Sequence, residues 1–353
     1  MITRRRGRIG LPAILVPLLM LPLLPIVSAQ GTSEKAPQQP LGLPPVQWPQ
    51  DNPYSSAKAD LGRFLYFDKR VSSDGSVSCA SCHAPEKAFT DGAPVSTGIG
   101  GQKGGRSAPT VINQAYNTLQ FWDGRAASLE EQAKGPIANP IEMTSDNTAD
   151  AAHAAVVKRL KAVPGYVKLF ERVFGTKDFN IDHAAKAIAT FERTVYSGNA
   201  PFDRYNAGDK QAMTAAQIRG MDIFFNKAAC DSCHLGFNFT DGSYENIGIG
   251  MNKEKPDLGR FEVSGKEQDK GSFKTPTLRD IEHTGPYMHD GSLKTLEEVV
   301  EHYNKGGIKN PHLNGRIKPL NLSDRDKSDL VAFLKSLSGE GWQHFKAPAK
   351  FPE

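Results

Sequence analysis

Apolar residues recur at helical spacing in two stretches of the sequence. In the first, Ile181 to Tyr196, the apolar positions are Ala187, Ile188, Phe191 and Val195. In the second, Ser323 to Leu337, they are Leu330, Val331, Phe333 and Leu334. Spacings of three and four residues place such side chains on one face of a helix. We therefore predict two amphipathic helices, each closing one half of the chain.

A weaker internal repeat precedes these helices. Leu61 to Asp68 and Arg219 to Asn226 each place a glycine five residues before a phenylalanine that is followed by Asp or Asn. Both read as short helices, and Thr214 is the expected N-cap of the second. A glycine in this position would let another helix cross at close range.

Strand patterns are sparse, so the sequence predicts a mainly α fold with long loops. The polar cluster from Ser197 to Pro201 marks a boundary between a domain at residues 54–197 and another at residues 198–345, with a short tail at 346–353. Residues 30–53 are rich in Pro, Gln and Ser and lack an apolar period. We predict a flexible tether there.

The N-terminus has the pattern of an export signal. Three arginines at positions 4–6 precede an apolar run from Leu11 to Val27, and Val27-Ser28-Ala29 resembles a cleavage site. Residues 1–29 are therefore predicted to be a cleaved signal peptide of a periplasmic protein. The alternative is a membrane anchor, but four prolines interrupt the run and no stable span is expected after cleavage.

Composition narrows the function. The 353 residues carry a net charge of +4 with scattered basic residues, which does not favour nucleic acid. The four cysteines form two Cys-x-x-Cys-His units, namely Cys79, Cys82 and His83, and Cys230, Cys233 and His234. This motif is typical of covalent haem c, with the histidine on iron. A zinc site would need further ligands at matching spacing, which are not evident.

The sixth position of each iron is the open question, because a vacant position allows peroxide chemistry while a filled one favours electron transfer. Each half now has the layout of a cytochrome c domain: helix, haem motif, loops and closing helix. The candidates for a sixth ligand are the histidines outside the motifs, Tyr303, Met143, Met213, Met221, Met251 and Met288.

Over most of Tyr54 to Leu337, the sequence resembles the bacterial di-haem cytochrome c peroxidase and MauG family. The segments that carry the resemblance are LGRFLYFDKR at 61–70, SCASCH at 78–83, APT at 108–110, FWDGRA at 121–126, NPIEM at 139–143, PFDRY at 201–205, TPTLR at 275–279 and TGPYMHDG at 284–291.

The resemblance implies that the first haem reacts with hydrogen peroxide on an open side, while the second relays electrons or stores an oxidising equivalent. Glu142 would move the peroxide proton, Gln132 and Phe121 would line the same pocket, and Trp122 would lie between the haems. A carboxyl group suits this task if burial raises its pKa. The simpler alternatives are a solvated loop residue for Glu142 and a core aromatic for Trp122.

Two positions depart from the peroxidases of this family. Ile99 stands where those that need reductive activation carry a removable distal histidine, so the first iron is expected to be open without activation. Tyr303 stands where they carry a methionine on the second iron, which is similar to MauG. His302 and Met288 remain alternative ligands.

The resemblance also implies a calcium ion between the domains. The family's Asn ligand is Ser107 here, and the carbonyls of Thr284 and Pro286 remain available.

Electrons would come from a small periplasmic cytochrome c or cupredoxin. The other two hypotheses are a MauG-like enzyme that oxidises residues of a partner protein and a non-catalytic di-haem electron carrier.

Overall fold

Helices provide most of the regular structure in this computed structural model, which describes residues 34–353. The predicted signal peptide lies outside the described residues. The α-helices are α1 (Ser56–Phe67), α2 (Cys79–Cys82), α3 (Leu129–Ile137), α4 (Ala149–Lys161), α5 (Pro164–Phe174), α6 (Ile181–Glu192), α7 (Pro201–Asn206), α8 (Ala215–Asp222), α9 (Phe261–Ser264), α10 (Leu296–Asn304) and α11 (Asp324–Lys335). Strands β1 (Tyr244–Glu245) and β2 (Phe273–Lys274) pair antiparallel. The predicted mainly α fold is confirmed.

The two closing helices form, but each ends earlier than its apolar pattern. α6 stops at Glu192, and α11 stops at Lys335. Beyond each end, backbone hydrogen bonds join residues three apart in the sequence instead of four. One example is the bond from the Val195 amide to the Glu192 carbonyl at 3.0 Å. Such tightened turns satisfy the last carbonyls of a helix and shift the following side chains off its face.

Thr214 is the N-cap of α8, as predicted. Its side chain accepts a hydrogen bond from the Gln217 amide, and the Gln217 side chain accepts one from the Thr214 amide. This reciprocal capping box satisfies two amides that the first helical turn leaves unpaired.

Two glycines let each opening helix cross its closing helix at close range. A Cβ atom on Gly62 would overlap the Ala187 carbonyl oxygen in α6. A Cβ atom on Gly220 would overlap the Asp329 carbonyl oxygen in α11 and lie 2.8 Å from Cβ of Phe333. The repeat in the sequence therefore encodes two equivalent helix crossings.

The described chain has two hydrophobic clusters, one from each half. The first gathers buried residues of α1, α4, α5 and α6, and the second gathers those of α10 and α11 together with Ile223 and Phe224, which follow α8. A tilted aromatic pair lies in each, Tyr66 with Phe191 at 5.0 Å and Phe224 with Phe333 at 5.1 Å. An aromatic contact thus accompanies each crossing of an opening helix with its closing helix.

The C-terminal segment returns to the first cluster. Trp342 is buried in it, and the Phe345 ring packs edge-on against Phe89 and Phe191. The tail continues this contact, since the Gly165 amide donates to the carbonyl of Glu353 at 2.6 Å. A boundary that assigns residues 198–345 to the second half alone does not account for these contacts.

Residues 34–53 lie against the rest of the chain instead of standing away from it. Asn52 is fully buried and Val46 nearly so. The Leu41 carbonyl accepts from the Asn199 amide at 2.7 Å, and the Pro44 carbonyl accepts from the Tyr116 hydroxyl at 2.8 Å. The prediction of a flexible tether misses these contacts, because composition records no long-range backbone bonding. Within residues 34–353, no helix has the length and apolar character needed to cross a membrane.

Replacing Gly220 by alanine should destabilise the protein by about 1–3 kcal/mol, since the added methyl group must push α8 away from α11. Thermal unfolding of the haem-loaded protein, followed by circular dichroism, measures this as a lower Tm. Gly315→Ala is the matched control, because nothing lies within 4 Å of a Cβ there. Equal Tm values for the two variants would contradict the close crossing.

Candidate functional site

His83 directly follows α2, the short helix that spans both cysteines of the first motif. Its Nδ1 lies 3.3 Å from the Phe89 carbonyl, which can only accept a hydrogen bond. Nδ1 therefore carries the proton, and Nε2 is left free for iron. Burial lowers the pKa of His83, which favours the neutral imidazole that a metal requires.

His234 repeats this arrangement in the second motif. Its Nδ1 lies 3.0 Å from the Phe239 carbonyl, and burial again lowers its pKa. Phe89 and Phe239 are both buried and both in the left-handed region, with φ of 58° and 50°. That conformation is uncommon for a bulky residue, so its occurrence at both histidines marks a shared requirement of the two sites.

A Pro-Thr pair supports the loop that carries the phenylalanine carbonyl at each histidine. The Thr110 hydroxyl donates to the Ala88 carbonyl at 2.7 Å, and the Thr277 hydroxyl donates to the Asn238 carbonyl at 2.8 Å. The carbonyls of the preceding residues, Pro109 and Pro276, also act to raise the pKa of His83 and His234. The predicted site residues do not include this repeat, although Ala-Pro-Thr at 108–110 and Thr-Pro-Thr at 275–277 are its signal in the sequence.

Trp122 connects the two Pro-Thr loops. Its indole Nε1 donates to the Ser107 carbonyl at 2.9 Å, next to the loop that supports His83. Its own carbonyl accepts from the Lys274 amide at 2.7 Å, next to the loop that supports His234. The indole is half-buried, so it lies within the protein between the two histidine supports.

A mostly apolar cavity of about 250 Å³ opens beside the second motif. Its walls include Cys230, Cys233, His234, Met288 and Tyr303. Two thiols and one imidazole on the wall of an apolar cavity are the donor set of a covalently attached haem. The residues present therefore fit this group.

Tyr303 is the one predicted phenolic ligand, and it faces this cavity. Burial, with a smaller contribution from Cys230 and Cys233, raises the pKa of its hydroxyl, so a nearby cation would be needed to make the phenolate. His302 is engaged elsewhere, since its Nε2 lies 3.1 Å from the Ile247 carbonyl. Met288 also lines the cavity.

Glu142 lies near the first motif. Burial raises the pKa of both Cys79 and Cys82, and the charge of Glu142 adds a smaller contribution in the same direction. Burial raises the pKa of Glu142 itself, against a lowering by Arg125 and by Asn139, whose Nδ2 donates to Oε1 at 2.6 Å. The Ile99 amide donates to the Glu142 carbonyl at 3.0 Å, so Ile99 is a direct neighbour.

Phe121 and Gln132 are brought close to each other through α3. A Cβ atom on Gly135 would lie 3.1 Å from the Phe121 ring, and Gln132 is half-buried three residues earlier on that helix. The Arg125 guanidinium stacks 3.6 Å above the Phe121 ring, which places a cation beside the aromatic and near Glu142.

The three predicted calcium residues, Ser107, Thr284 and Pro286, all line the cavity that Trp122 also faces. The Ser107 amide donates to the His289 carbonyl at 2.7 Å, and the Ser107 carbonyl is taken by Trp122. Residues 34–353 contain no group of three His, Cys, Asp or Glu side chains that could hold a metal ion. An ion at this place would depend on hydroxyl and carbonyl oxygens.

Comparison with known proteins agrees with this geometry. Residues 56–211 match the family model described as di-haem cytochrome c peroxidase. The methylamine utilization protein MauG of Methylorubrum extorquens is 46% identical over 84% of this chain and 82% of its own length. The cytochrome c551 peroxidase of Nitrosomonas europaea is 40% identical over 84% of each chain.

Solved structures share the fold. A MauG-like protein associated with microbial copper homeostasis superposes with a TM-score of 0.79 at 35% identity, over 88% of this chain and 97% of its own. The diheme peroxidase BthA of Burkholderia thailandensis has a TM-score of 0.73 at 23% identity, over 84% and 89%. From the repeated histidine sites and these relatives, we conclude that the chain belongs to the di-haem cytochrome c peroxidase and MauG family and carries two covalently bound haem c groups.

Proposed function

We propose that the protein reduces hydrogen peroxide at the haem held by Cys79, Cys82 and His83. The observation that carries the proposal is the half-buried carboxyl group of Glu142, whose pKa is raised by burial and whose backbone carbonyl accepts from the Ile99 amide. The second haem would relay electrons or store an oxidising equivalent, with Trp122 in the connection between the two sites.

The haem that Cys79, Cys82 and His83 would hold would supply the electrons for peroxide reduction, and the chain must manage the protons. The overall change is H2O2 with two protons and two electrons giving two waters. In the proposed step, Glu142 takes the proton from the oxygen that faces iron and gives it to the departing oxygen. Asn139 holds Oε1, so Oε2 is the atom available for the proton. A raised pKa brings this carboxyl closer to neutral pH, where both transfers are efficient.

The proposal is favoured over a simple electron carrier by the residue next to Glu142. A carrier needs a sixth ligand on both irons, whereas buried Ile99 offers only an alkyl group at the place where some relatives carry a histidine. We therefore propose that the first haem reacts with peroxide without prior reduction.

A second candidate is oxidation of residues in a partner protein, in the manner of MauG. Tyr303 on the cavity wall favours it, because an anionic oxygen ligand stabilises oxidised iron. Lys227, Ala228 and Ala229 precede the second motif, so no aromatic residue stands there to pass charge to a bound partner. For this reason peroxide reduction remains the main proposal.

We place the protein in the periplasm, exported by the sequence at residues 1–29. Its electron donor would then be a small cytochrome c or cupredoxin of that compartment. A calcium ion held by Ser107, Thr284 and Pro286 would rigidify the region around Trp122.

Replacing Glu142 by glutamine should slow the reaction with peroxide by about 10²–10⁴-fold, the usual contribution of a general acid and base. Stopped-flow absorbance of the as-isolated ferric protein measures this rate, and both haem spectra should remain nearly unchanged. Glu131→Gln is the control, since Glu131 is an exposed carboxyl on α3 next to Gln132. A parental rate in Glu142→Gln would exclude the proposed proton transfer.

Replacing Tyr303 by phenylalanine should alter the low-temperature electron paramagnetic resonance signal of the second ferric haem, because the substitution removes the proposed oxygen ligand. His302→Gln serves as the comparison and should leave that signal in place, since the His302 ring is bound to a backbone carbonyl. The opposite pattern would assign the ligand to His302, and no change in either variant would leave Met288 as the ligand.

A further inference from the structure

Lys274 on β2 is a buried amine that the peroxide reaction does not use. Its side chain is 8% exposed, and Nζ donates to the Leu119 carbonyl at 2.8 Å. An ammonium group has three donors, and a buried charge with few partners is costly. The position therefore disfavours a permanent positive charge.

Lys274 also lies at the connection between the two haem sites. Its backbone amide donates to the Trp122 carbonyl, and it directly precedes the Pro-Thr loop that supports His234. It lines the cavity whose walls include His234 and Tyr303. Lys274 therefore lies between the backbone of Trp122 and the loop that supports His234, on the wall of the cavity that fits the second haem.

Few charged groups near Lys274 can compensate its ammonium form. In the described part of the chain, Asp123 is the charged group that raises its pKa, and Arg106 and Arg125 already bind Asp123 at 2.5 Å and 2.9 Å. Burial dominates and lowers the pKa of Lys274 to about 8.

The other titratable groups around β2 have separate partners or stay neutral. On β1, burial raises the pKa of Tyr244, the cross-strand partner of Lys274, and Glu245 is paired with Arg316. His289 stacks on the Phe273 ring at 3.6 Å, and burial lowers its pKa to about 4. Lys274 is thus the group in this region whose charge can change near neutral pH.

We propose that the Lys274 side chain takes up a proton when the second haem is reduced and releases it when that haem is oxidised. The electron comes from the redox donor and reduces ferric to ferrous iron. The proton comes from solvent and converts the Lys274 amine to ammonium. Electron transfer between the haem sites is then coupled to proton uptake at this side chain. The inference rests on the two haem groups and not on the reaction with peroxide.

The sign of the pH dependence follows from linkage. The ammonium form stabilises the reduced haem, which carries one positive charge less than the oxidised haem. As pH rises through about 8, the amine loses its proton and reduction becomes less favourable. The reduction potential of the second haem should therefore fall over this range and level off on both sides.

Spectroelectrochemical titration of the haem-loaded protein with small-molecule mediators, from about pH 6 to about pH 10, tests the proposal. In the parent protein the equilibrium constant for reducing the second haem should fall about tenfold, which is about 59 mV for one electron. In Lys274→Met, the reduction potential of the second haem should be independent of pH and equal to the parent's value at high pH. In Lys274→Arg, this potential should also be independent of pH but equal to the parent's value at low pH, because arginine stays charged.

Lys305→Met is the matched control. Lys305 is two residues from Tyr303, but its side chain is 71% exposed and screened by solvent, so the parental curve should be kept. A parent protein with no step near pH 8, or a Lys274→Met variant that retains the step, overturns the proposal. If Lys274→Met does not fold, Lys274→Arg tests the proposal alone, and a step near pH 8 in that variant overturns it. A normal step in a protein that ignores peroxide would refute the proposed peroxidase function and leave this inference standing.

Discussion

The histidine of each Cys-x-x-Cys-His motif depends on a backbone carbonyl that accepts a hydrogen bond from its imidazole. Phe89 provides it for His83 and Phe239 for His234, and in each case the carbonyl is aimed by a left-handed backbone. The bond sets the tautomer and the plane of the ring, so the rest of each half must hold one carbonyl in place. The aromatic clusters hold the phenylalanine rings, and the Pro-Thr loops hold the peptide just before each of them.

Burial acts in opposite directions on the two groups that the proposals use. It disfavours charge, so it raises the pKa of the Glu142 carboxyl and lowers that of the Lys274 amine. Both groups are thereby moved toward neutral pH from opposite sides. The carboxyl group of Glu142 and the amine of Lys274 can then each gain or lose a proton closer to neutral pH than exposed side chains of the same kind.

Local signals in the sequence predict the parts of the fold that depend on local sequence. The two haem motifs, the Thr214 cap and the paired glycines Gly62 and Gly220 can all be read from short segments. The contacts of Asn52 and Trp342 cannot, because they join positions far apart in the chain and follow no period. The doubled Pro-Thr support was visible as two similar tripeptides, but its purpose becomes clear only when the hydrogen bonds to the loops of Phe89 and Phe239 are known.

The return of the C-terminal segment to the first half has a consequence for biosynthesis. Trp342 and Phe345 complete the hydrophobic cluster around Phe89 and Phe191, and they follow the second haem motif in the sequence. The first half therefore cannot complete its core until the segment that follows α11 has been synthesised. Until that segment is present, Cys79, which packs against this cluster, borders an incomplete core.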